Sequence, residues 1–429
     1  MANAFSKEEI VAFEDILEGF NDALVLSRNV SVYNTDQTTM ERTNNVIWRP
    51  QPYISQSFGG SFNLDMTANF KDYTQLSVPS TIGFNRSVPW IMNALELRDA
   101  LQENRLGESA KQKLASDINI QIMNVAAAQG TLVVTRTGSA TGFDDIAQAD
   151  AIMNEQGVQM FDRYAAISSR DYNNMASNLQ GGGANRSFNN DKSSVAYERA
   201  YVGQVAGFST YKLDYANRIT AAAGTGDTID TRTAAGNYYV PRATSTAGTG
   251  EVQNVDNRFQ TVTVSDTTGV VAGDCFQITG VEAVHHITKQ GTGALKTFRV
   301  ISVTNSTTMV ISPPIISAQG GSDAEQQYKN VIVTPSATAP ITYINTAAAA
   351  INPFWQKDAL EILPGRFAVP TDAGTAVMRG TTDQGIELVM QKWYDINTMK
   401  IKFRLDTLFG VVNKQPEMSG IILFNQPAP

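Results

Sequence analysis

The sequence predicts an α+β fold in which a small antiparallel β-barrel is inserted into a mixed host. Apolar residues recur at helical spacing near the N-terminus and again before residue 130, which predicts the helices of the host. Short strand patterns separated by turn residues follow one another between residues 259 and 312, which predicts the barrel. With 429 residues the chain has room for about two or three domains.

The composition is typical of a globular cytoplasmic protein. No window approaches the ~20 uninterrupted apolar residues of a membrane-spanning helix, and the acidic start lacks the basic region of a signal peptide. We therefore expect a soluble protein without membrane association. Because Cys275 is the one cysteine, neither an intramolecular disulfide nor a cysteine-rich metal site is expected.

The formal net charge of -8 argues against tight wrapping of nucleic acid. Tight wrapping of DNA requires clustered Lys and Arg that neutralise phosphates. A chain with this charge is better suited to enclosing packed DNA, which it repels weakly, than to binding it.

The N-terminal residues predict an amphipathic helix with an acidic stripe. A capping-box pattern at residues 6–9 precedes apolar residues at helical spacing. These are Ile10, Phe13, Leu17, Phe20 and Leu24. Glu14, Glu18 and Asp22, spaced by four, share another face of the helix. Such a stripe is most often a solvated face, and the alternative interpretation is a docking surface for a basic partner.

The next segment predicts an extended arm followed by a long hairpin. Between about residues 30 and 89, polar and aromatic residues are interrupted by Pro and Gly, with a strand pattern at residues 46–48 and a loop near residues 55–63.

The strongest helical pattern runs from about residue 108 to residue 129 and ends before Gly130. At ~1.5 Å per residue this helix would be roughly 30 Å long. Its predicted buried face consists of Leu114, Ala115, Ile118, Ile122, Val125, Ala126 and Gln129, with Leu114, Ile118, Ile122 and Val125 as the core. A buried strand at 131–135, a helix at 144–155 and a flexible surface loop at 173–192 are predicted to follow.

A change in composition marks the inserted barrel. Ala, Thr, Gly and Ser dominate residues 219–251, and no lysine occurs between Leu213 and Thr288. The predicted barrel strands are residues 259–264, 275–279, 297–303 and 308–312. Host strands are predicted to return at residues 359–363, 385–390, 399–405 and 420–424.

No catalytic or metal-binding constellation is apparent, so we expect neither an enzyme nor a cofactor. The only histidines, His285 and His286, are adjacent, cannot form a nucleophile-and-base pair and are interpreted as surface or interface residues. Asp144 and Asp145 stand at the start of a predicted helix, where they are expected to cap it. Cys275 fits a small buried residue in a strand.

Several blocks of the sequence resemble the coat proteins of short-tailed phages in the Salmonella transducing-phage group. Residues 39–50 resemble the arm-to-hairpin segment of that family, and residues 114–135 resemble its spine helix and following strand. Residues 204–208 resemble the segment before the family's insertion, and residues 254–264 are the most specific block. Phe354, Trp355, Asp358 and Ala359 resemble the return to the host domain.

The resemblance implies the tailed-phage (Hong Kong type) capsid fold. The implied domains are an N-terminal arm (1–45), an extended hairpin loop region (46–88), a peripheral domain with the spine helix (89–130), the first part of an axial domain (131–221), a telokin-like insertion barrel (222–346) and the remaining axial and peripheral strands (347–429).

The resemblance further implies a major coat protein that self-assembles as hexamers and pentamers into an icosahedral head around double-stranded DNA. The implied partners are further copies of the chain, a scaffolding protein in a precursor shell and a portal protein at one vertex, and the shell expands as DNA enters. We hypothesise that Glu14, Glu18 and Asp22 dock a basic segment of the scaffold. The expected location is the virion, after assembly in the bacterial cytoplasm.

One loop departs from the family pattern. In the family, a projecting loop of the insertion carries charged residues that bridge neighbouring capsomeres, but residues 245–250 are neutral here. If the contact persists, Glu251, Asp256 and Arg258 are the candidates for it.

Two other classes of function share some of these features. A tail-tube or surface-array subunit would share the Thr-, Gly- and Ala-rich strands, but the long helix argues against a tail tube and the missing secretion signal against a surface array. A carboxylate-dependent hydrolase ranks third, because no nucleophile-and-base arrangement is apparent.

Overall fold

The computed structural model describes residues 5, 7–33, 46–51, 57, 62, 65–67, 70, 72–93, 100–179, 203–213, 215–233, 236–368 and 375–428. The chain forms two compact units. The first comprises residues 1–48, 79–123 and 360–412, and the second comprises residues 49–78, 124–359 and 413–429. Each unit therefore combines segments that are far apart in sequence.

The helices of the described residues are α1 (Lys7–Ala23), α2 (Ala100–Gln129), α3 (Phe143–Glu155), α4 (Ser169–Leu179) and α5 (Asp323–Tyr328). Short 3-10 turns occur at Leu26–Asn29 and Pro416–Met418. The predicted N-terminal helix, spine helix and third helix are confirmed as α1, α2 and α3. The spine helix begins at Ala100 rather than near residue 108, because the pattern of apolar residues weakens around Gly107 while the helix continues.

The strands of the described residues are β1 (Ser31–Val32), β2 (Val46–Pro50), β3 (Ser77–Thr81), β4 (Phe84–Asn93), β5 (Leu132–Thr135), β6 (Arg163–Ser168), β7 (Gln204–Val205), β8 (Phe208–Leu213), β9 (Arg218–Ile219), β10 (Thr244–Thr246), β11 (Val252–Asn254), β12 (Gln260–Thr263), β13 (Cys275–Val284), β14 (Gly291–Asn305), β15 (Thr308–Ser312), β16 (Ile341–Tyr343), β17 (Ala349–Ala350), β18 (Asn352–Gln356), β19 (Leu360–Pro364), β20 (Ala376–Thr381), β21 (Glu387–Asp395), β22 (Lys400–Asn413) and β23 (Ser419–Leu423).

The first unit is built around a six-stranded sheet. Its strand order is β1-β19-β22-β21-β20, and β4 pairs in addition with β22. The β4–β22 pairing is antiparallel and extends from Asn93 opposite Lys400 to Phe84 opposite Phe409. Alternate residues of β22, such as Ile401, Phe403 and Leu405, are buried, while their neighbours Lys400 and Lys402 are exposed, as expected for a sheet with one covered face.

The second unit contains a six-stranded mixed sheet that is buried on both faces. Its order is β5-β23-β18-β6-β8-β7, with parallel pairings of β5 with β23 and of β6 with β8. One face packs against α3 and α4 through residues such as Leu132, Val134 and Ile422. The intervening residues Val133 and Ile421 face the opposite way and belong to a second apolar cluster.

The segment predicted as a barrel forms a five-stranded antiparallel sheet in the order β12-β15-β14-β13-β16. It has its own apolar cluster, in which the rings of Phe276 and Phe298 stack with centroids 5.6 Å apart. Residues 227–230 hydrogen-bond to both edges of this sheet: Ile341 N donates to the Asp227 oxygen (2.9 Å), and Asp230 N donates to the Thr263 oxygen (3.1 Å). The closed barrel and its boundaries at residues 222 and 346 stay predictions.

The prediction of a surface loop at residues 173–192 is wrong for its first part. Residues 173–179 belong to α4, and the rest lies outside the described residues. A short apolar stripe packs this polar segment against the six-stranded mixed sheet as a helix. It consists of three buried residues at helical spacing, Tyr172, Met175 and Ala176. The predicted loop near residues 55–63 falls mostly outside the described residues.

The core face of α2 is largely as the helical pattern predicts. Leu114, Ile118 and Ile122 are fully buried. Val125 is only half-buried. The next buried residue after Ile122 on this face is Ala126, one turn further along the helix. Val125 therefore lies at the edge of the buried face.

Replacing Ile122 by Ala should reduce the free energy of unfolding by ~2 to 5 kcal/mol, because it deletes fully buried methyl groups and leaves a cavity. Val125→Ala on the same helix is the matched control and should cost clearly less. Urea unfolding of free subunits measures both effects. Equal losses for the two variants, or an Ile122→Ala variant as stable as the parent protein, would show that this face is not the buried one.

Candidate assembly surfaces and buried charges

The acidic stripe of α1 faces outward. Glu14 and Glu18 are exposed, and Ile10 and Val11 on the same side of the helix are exposed as well. The side chain of Asp22 lies outside the described residues. The exposed side of α1 therefore combines two carboxylates with a small apolar area, which suits a basic amphipathic partner.

The opposite side of α1 is docked on the first unit. Phe13, Ile16 and Phe20 are buried. A Cβ added at Gly107 of α2 would lie 2.6 Å from Cδ1 of Ile16, and one at Gly380 of β20 would lie 2.6 Å from Cδ2 of Leu17. A larger residue at either position would require the side chain of Ile16 or Leu17 to shift, so the two glycines leave room for the side chains of α1.

The neutral segment 245–250 forms the end of an exposed two-stranded hairpin. β10 and β11 pair antiparallel, with Thr244 opposite Asn254, and all residues of both strands are exposed. Gly250 N donates to the Ala247 oxygen (2.9 Å), which closes the turn. Glu251 is exposed next to this turn, so its carboxylate is accessible to another molecule.

The other two candidates for that contact, Asp256 and Arg258, are used within the chain. Nη2 of Arg258 lies 2.7 Å from Oδ2 of Asp256, and Nη1 donates to the Asn413 oxygen (2.8 Å). Arg258 is buried, whereas the hypothesis required it to reach a neighbour. Since a guanidinium with these partners satisfies its charge internally, Glu251 is the better candidate for an external contact.

The C-terminal end of α2 is held by side chains from β14. Nη1 of Arg299 donates to the Ala127 oxygen (2.9 Å) and the Gly130 oxygen (3.2 Å), and Nε donates to the Gly273 oxygen (3.1 Å). The hydroxyl of Thr297 donates to the Thr131 oxygen (2.7 Å). The last carbonyls of a helix lack partners within the helix and carry partial negative charge, so a buried cation stabilises them.

A second buried cation of β14, Lys296, pairs with Glu417. Nζ of Lys296 lies 2.6 Å from Oε1 of Glu417 and donates to Oε1 of Gln156 (2.9 Å). Nδ2 of Asn330 also donates to Oε1 of Glu417 (3.1 Å). Burial tends to raise the pKa of Glu417, but the charge of Lys296 and the hydrogen bonds from Lys296 and Asn330 outweigh it, and the pKa is lowered.

The histidines are less exposed than predicted. His286 is only 15% exposed, with Nε2 3.6 Å from Oε2 of Glu417, and burial lowers its pKa to about 4, so it is neutral at pH 7. The ring of His285 packs against Gly157, and its Nδ1 accepts from Thr288 N (3.2 Å). Both rings are partly covered by neighbouring segments of the second unit, and the interpretation as surface or interface residues stays a prediction.

The remaining candidates for chemistry have structural roles. Oδ2 of Asp145 accepts from Gly142 N (3.1 Å) at the start of α3, which confirms the predicted cap. Cys275 is buried in an apolar cluster, and burial raises its pKa to about 11. Within the described ranges, no group of three or more His, Cys, Asp and Glu side chains is placed to hold a metal ion. In the part of the chain that the structure describes, no helix is long and apolar enough to cross a membrane.

A family model described as P22 coat protein, gene protein 5, matches residues 1–425. The chain belongs to the P22 coat protein family. As a member it is a major capsid protein that forms an icosahedral shell, a component of the virion, and its described residues combine helices and sheets.

Solved structures of other phage proteins are similar to this coat protein. The CUS-3 coat protein I-domain is 35% identical over 29% of this chain and 98% of its own, with a TM-score of 0.22. A structure from Mycobacterium phage Che8 is 11% identical over 93% of this chain and 90% of its own, with a TM-score of 0.42. The capsid of cyanophage P-SCSP1u is 11% identical over 92% and 85%, with a TM-score of 0.41.

Sequence reasoning missed the buried charges of the coat protein. Lys296 and Arg299 lie in a strand between buried apolar residues such as Phe298 and Val300. A cation inside an apolar strand indicates that another segment must supply an acceptor, and the sequence carries this signal. The sequence does not identify the acceptors, because Glu417 and Ala127 are distant from β14 along the chain.

Lys296→Met should destabilise the coat protein by ~3 to 5 kcal/mol, because it leaves Glu417 charged and buried without its ion partner. The double variant Lys296→Met, Glu417→Leu should recover most of that loss, since replacing a whole buried pair by apolar residues is often nearly neutral. Chemical unfolding of the single and double variants gives the coupling energy.

The exposed pair Arg232–Asp230 is the matched control, and Arg232→Met should leave stability unchanged within error. A double variant that is no more stable than Lys296→Met alone would mean that the pair does not carry the effect.

Proposed function

We propose that this major capsid protein assembles as hexamers and pentamers into a scaffolded precursor shell, which expands as double-stranded DNA is packaged. Its membership in the P22 coat protein family supports this proposal. The net charge of -8 also supports it, because a weakly repelling wall leaves packed DNA free to move. The DNA is enclosed without sequence-specific binding, a portal protein occupies one vertex, and assembly takes place in the host cytoplasm.

The role of the N-terminal helix in this scheme is to receive the scaffolding protein. The exposed Glu14 and Glu18, with Asp22 further along the same helix, would bind a basic segment of the scaffold, while the buried side of α1 keeps the helix in place. An exposed charge pair contributes only ~0.2 to 1 kcal/mol, so several pairs must act together.

The domain organisation proposed for the coat protein is the arm at residues 1–45, the hairpin region at 46–88, the peripheral domain at 89–130, the axial domain at 131–221 and the insertion at 222–346. The remaining strands occupy residues 347–429. The separate apolar cluster of the five-stranded sheet supports an insertion that folds as a domain. The exposed hairpin with Glu251 supports a contact between neighbouring capsomeres on this domain.

The proposal assigns no catalytic activity to the chain, because membership in a coat protein family indicates a structural role. The alternative is another self-assembling subunit, of a tail tube or a surface array. Purified coat protein mixed with its scaffolding protein and imaged by electron cryomicroscopy separates these: closed shells support the proposal, and tubes or flat sheets contradict it.

Changing Glu14, Glu18 and Asp22 together to Gln should reduce the amount of scaffold retained in precursor shells and make retention less sensitive to salt, because the ionic contacts are removed. Changing the exposed Glu155, on α3, to Gln is the control and should leave retention unchanged. Sedimented shells washed at increasing salt give the measurement. Retention equal to that of the parent protein at every salt concentration would refute this docking site.

A further inference from the structure

Three buried side chains of the second unit bring together an amine, a carboxylate and a primary amide. They are Lys296 of β14, Glu417 of the last 3-10 turn and Asn330, which lies between α5 and β16. Lys296 is 1% exposed, and Asn330 is fully buried. An amine and an amide that are held together away from water can condense to a new amide bond, provided that a neighbouring carboxylate transfers the protons.

A single carboxylate oxygen joins the amine to the amide. Oε1 of Glu417 lies 2.6 Å from Nζ of Lys296 and accepts from Nδ2 of Asn330 (3.1 Å). The two nitrogens are therefore no further apart than these two contacts placed end to end. Since the lysine stem is flexible, rotations of its side-chain bonds bring Nζ toward Cγ of the amide.

Backbone groups hold the amide of Asn330 in one orientation. Its Oδ1 accepts from Ile316 N (3.0 Å), and its Nδ2 donates to the Pro314 oxygen (2.8 Å) as well as to Glu417. The N–H of Ile316 lies where negative charge develops on Oδ1 when a nucleophile attacks Cγ, so it stabilises that charge. The leaving nitrogen, Nδ2, is already bonded to the group that can protonate it.

Burial favours a neutral amine, which the attack requires. A lysine and a carboxylate that are shielded from water lose the solvation of their charged forms, so transfer of a proton from one to the other costs less than in water. The other acceptor of Lys296 is Oε1 of Gln156 (2.9 Å), a neutral group that stabilises an ammonium less than a second carboxylate would.

We propose that Lys296 and Asn330 form an internal isopeptide bond and that Glu417 transfers the protons. The Lys296 ammonium first gives a proton to the carboxylate, and the neutral amine attacks Cγ of Asn330, which forms the Nζ–Cγ bond. Glu417 then gives this proton to Nδ2 and accepts another from Nζ. The Cγ–Nδ2 bond breaks, ammonia leaves, and Glu417 remains protonated. The amine and the primary amide thus become a secondary amide and ammonia, without an oxidant or a reductant.

The bond closes a covalent loop of residues 296–330 and ties β14 to the segment after α5. A cross-link of this kind restricts the unfolded chain and so stabilises the folded one. The modification is independent of the assembly role proposed above. Neither Lys296→Met nor its double variant with Glu417→Leu can form the bond, so subunits without the bond are the reference for those two variants.

Intact-mass spectrometry of full-length protein, as free subunits and from shells, decides whether the bond exists. Loss of ammonia lowers the mass by about 17 Da. A tryptic digest should then contain a branched peptide that joins residue 296 to residue 330. An unchanged mass in both preparations would overturn the proposal. A loss of ammonia without the branched peptide would overturn it as well, because it indicates a succinimide instead.

Asn345 is an internal control for the same digest. It is fully buried, and its Nδ2 donates to Oδ1 of Asp274 (2.8 Å). Among the described residues no lysine bonds to that carboxylate, so Asn345 should stay unlinked. A branched peptide at Asn345 would show that burial beside a carboxylate is sufficient and that Lys296 is not the specific partner.

Variants assign the roles. Glu417→Gln and Lys296→Arg should both keep the full mass, because the first lacks the carboxylate and the second lacks the amine. Lys113→Arg, at an exposed lysine of α2, is the control and should lose ammonia as the parent protein does. Thermal melting shows whether each variant is folded, and Glu417→Asp, which retains a carboxylate and should retain part of the link, serves if the Gln variant does not fold. A branched peptide at the parent level in Glu417→Gln would contradict the role of Glu417.

Discussion

The buried C-terminal end of the spine helix is the constraint on which the second unit depends. A helix that ends inside a protein must find partners for its last carbonyls, since water cannot reach them. Here Arg299, 1% exposed, donates to the Ala127 and Gly130 oxygens, and Thr297 donates to the Thr131 oxygen. The backbone N–H of Thr131 in turn donates to the oxygens of Pro416 and Ser419, so hydrogen bonds join the helix end, β14 and the last segment of the chain.

The six-stranded mixed sheet of the second unit combines strands that are distant in sequence. β5 starts directly after the helix end and pairs in parallel with β23, which also pairs with β18. The five-stranded sheet lies between β5 and both partners along the chain, and its strand β14 supplies the polar groups that cover the helix end and the lysine of the Lys296–Glu417 pair beside β23. Buried ion pairs contribute little net stability when compared with apolar replacements, but removing one partner is costly, so they favour one arrangement of these segments over others.

The sequence predicted those parts whose signals are local. The spine helix follows from apolar periodicity and β15 from its strand pattern, and the spacing of Glu14 and Glu18 predicted the acidic side of α1. The helix α4 was missed because its stripe is short and its residues are mostly polar, and β18 because it is buried along its whole length and shows no alternation. The partners of Arg258, Lys296 and Arg299 could not be predicted, because each acceptor lies more than a hundred residues away in sequence or depends on how the backbone turns.

The most direct test of this account is hydrogen exchange in the variant Arg299→Gln, followed by mass spectrometry. If Arg299 couples β14 to the helix, backbone amides at residues 124–130 and at residues 296–301 should both exchange faster than in the parent protein, and by similar factors, because the two segments open together. Arg299→Lys, which keeps a cation, should show a smaller change in both. Faster exchange in β14 alone, with the helix end unchanged, would contradict the claim that the end of the spine helix depends on Arg299.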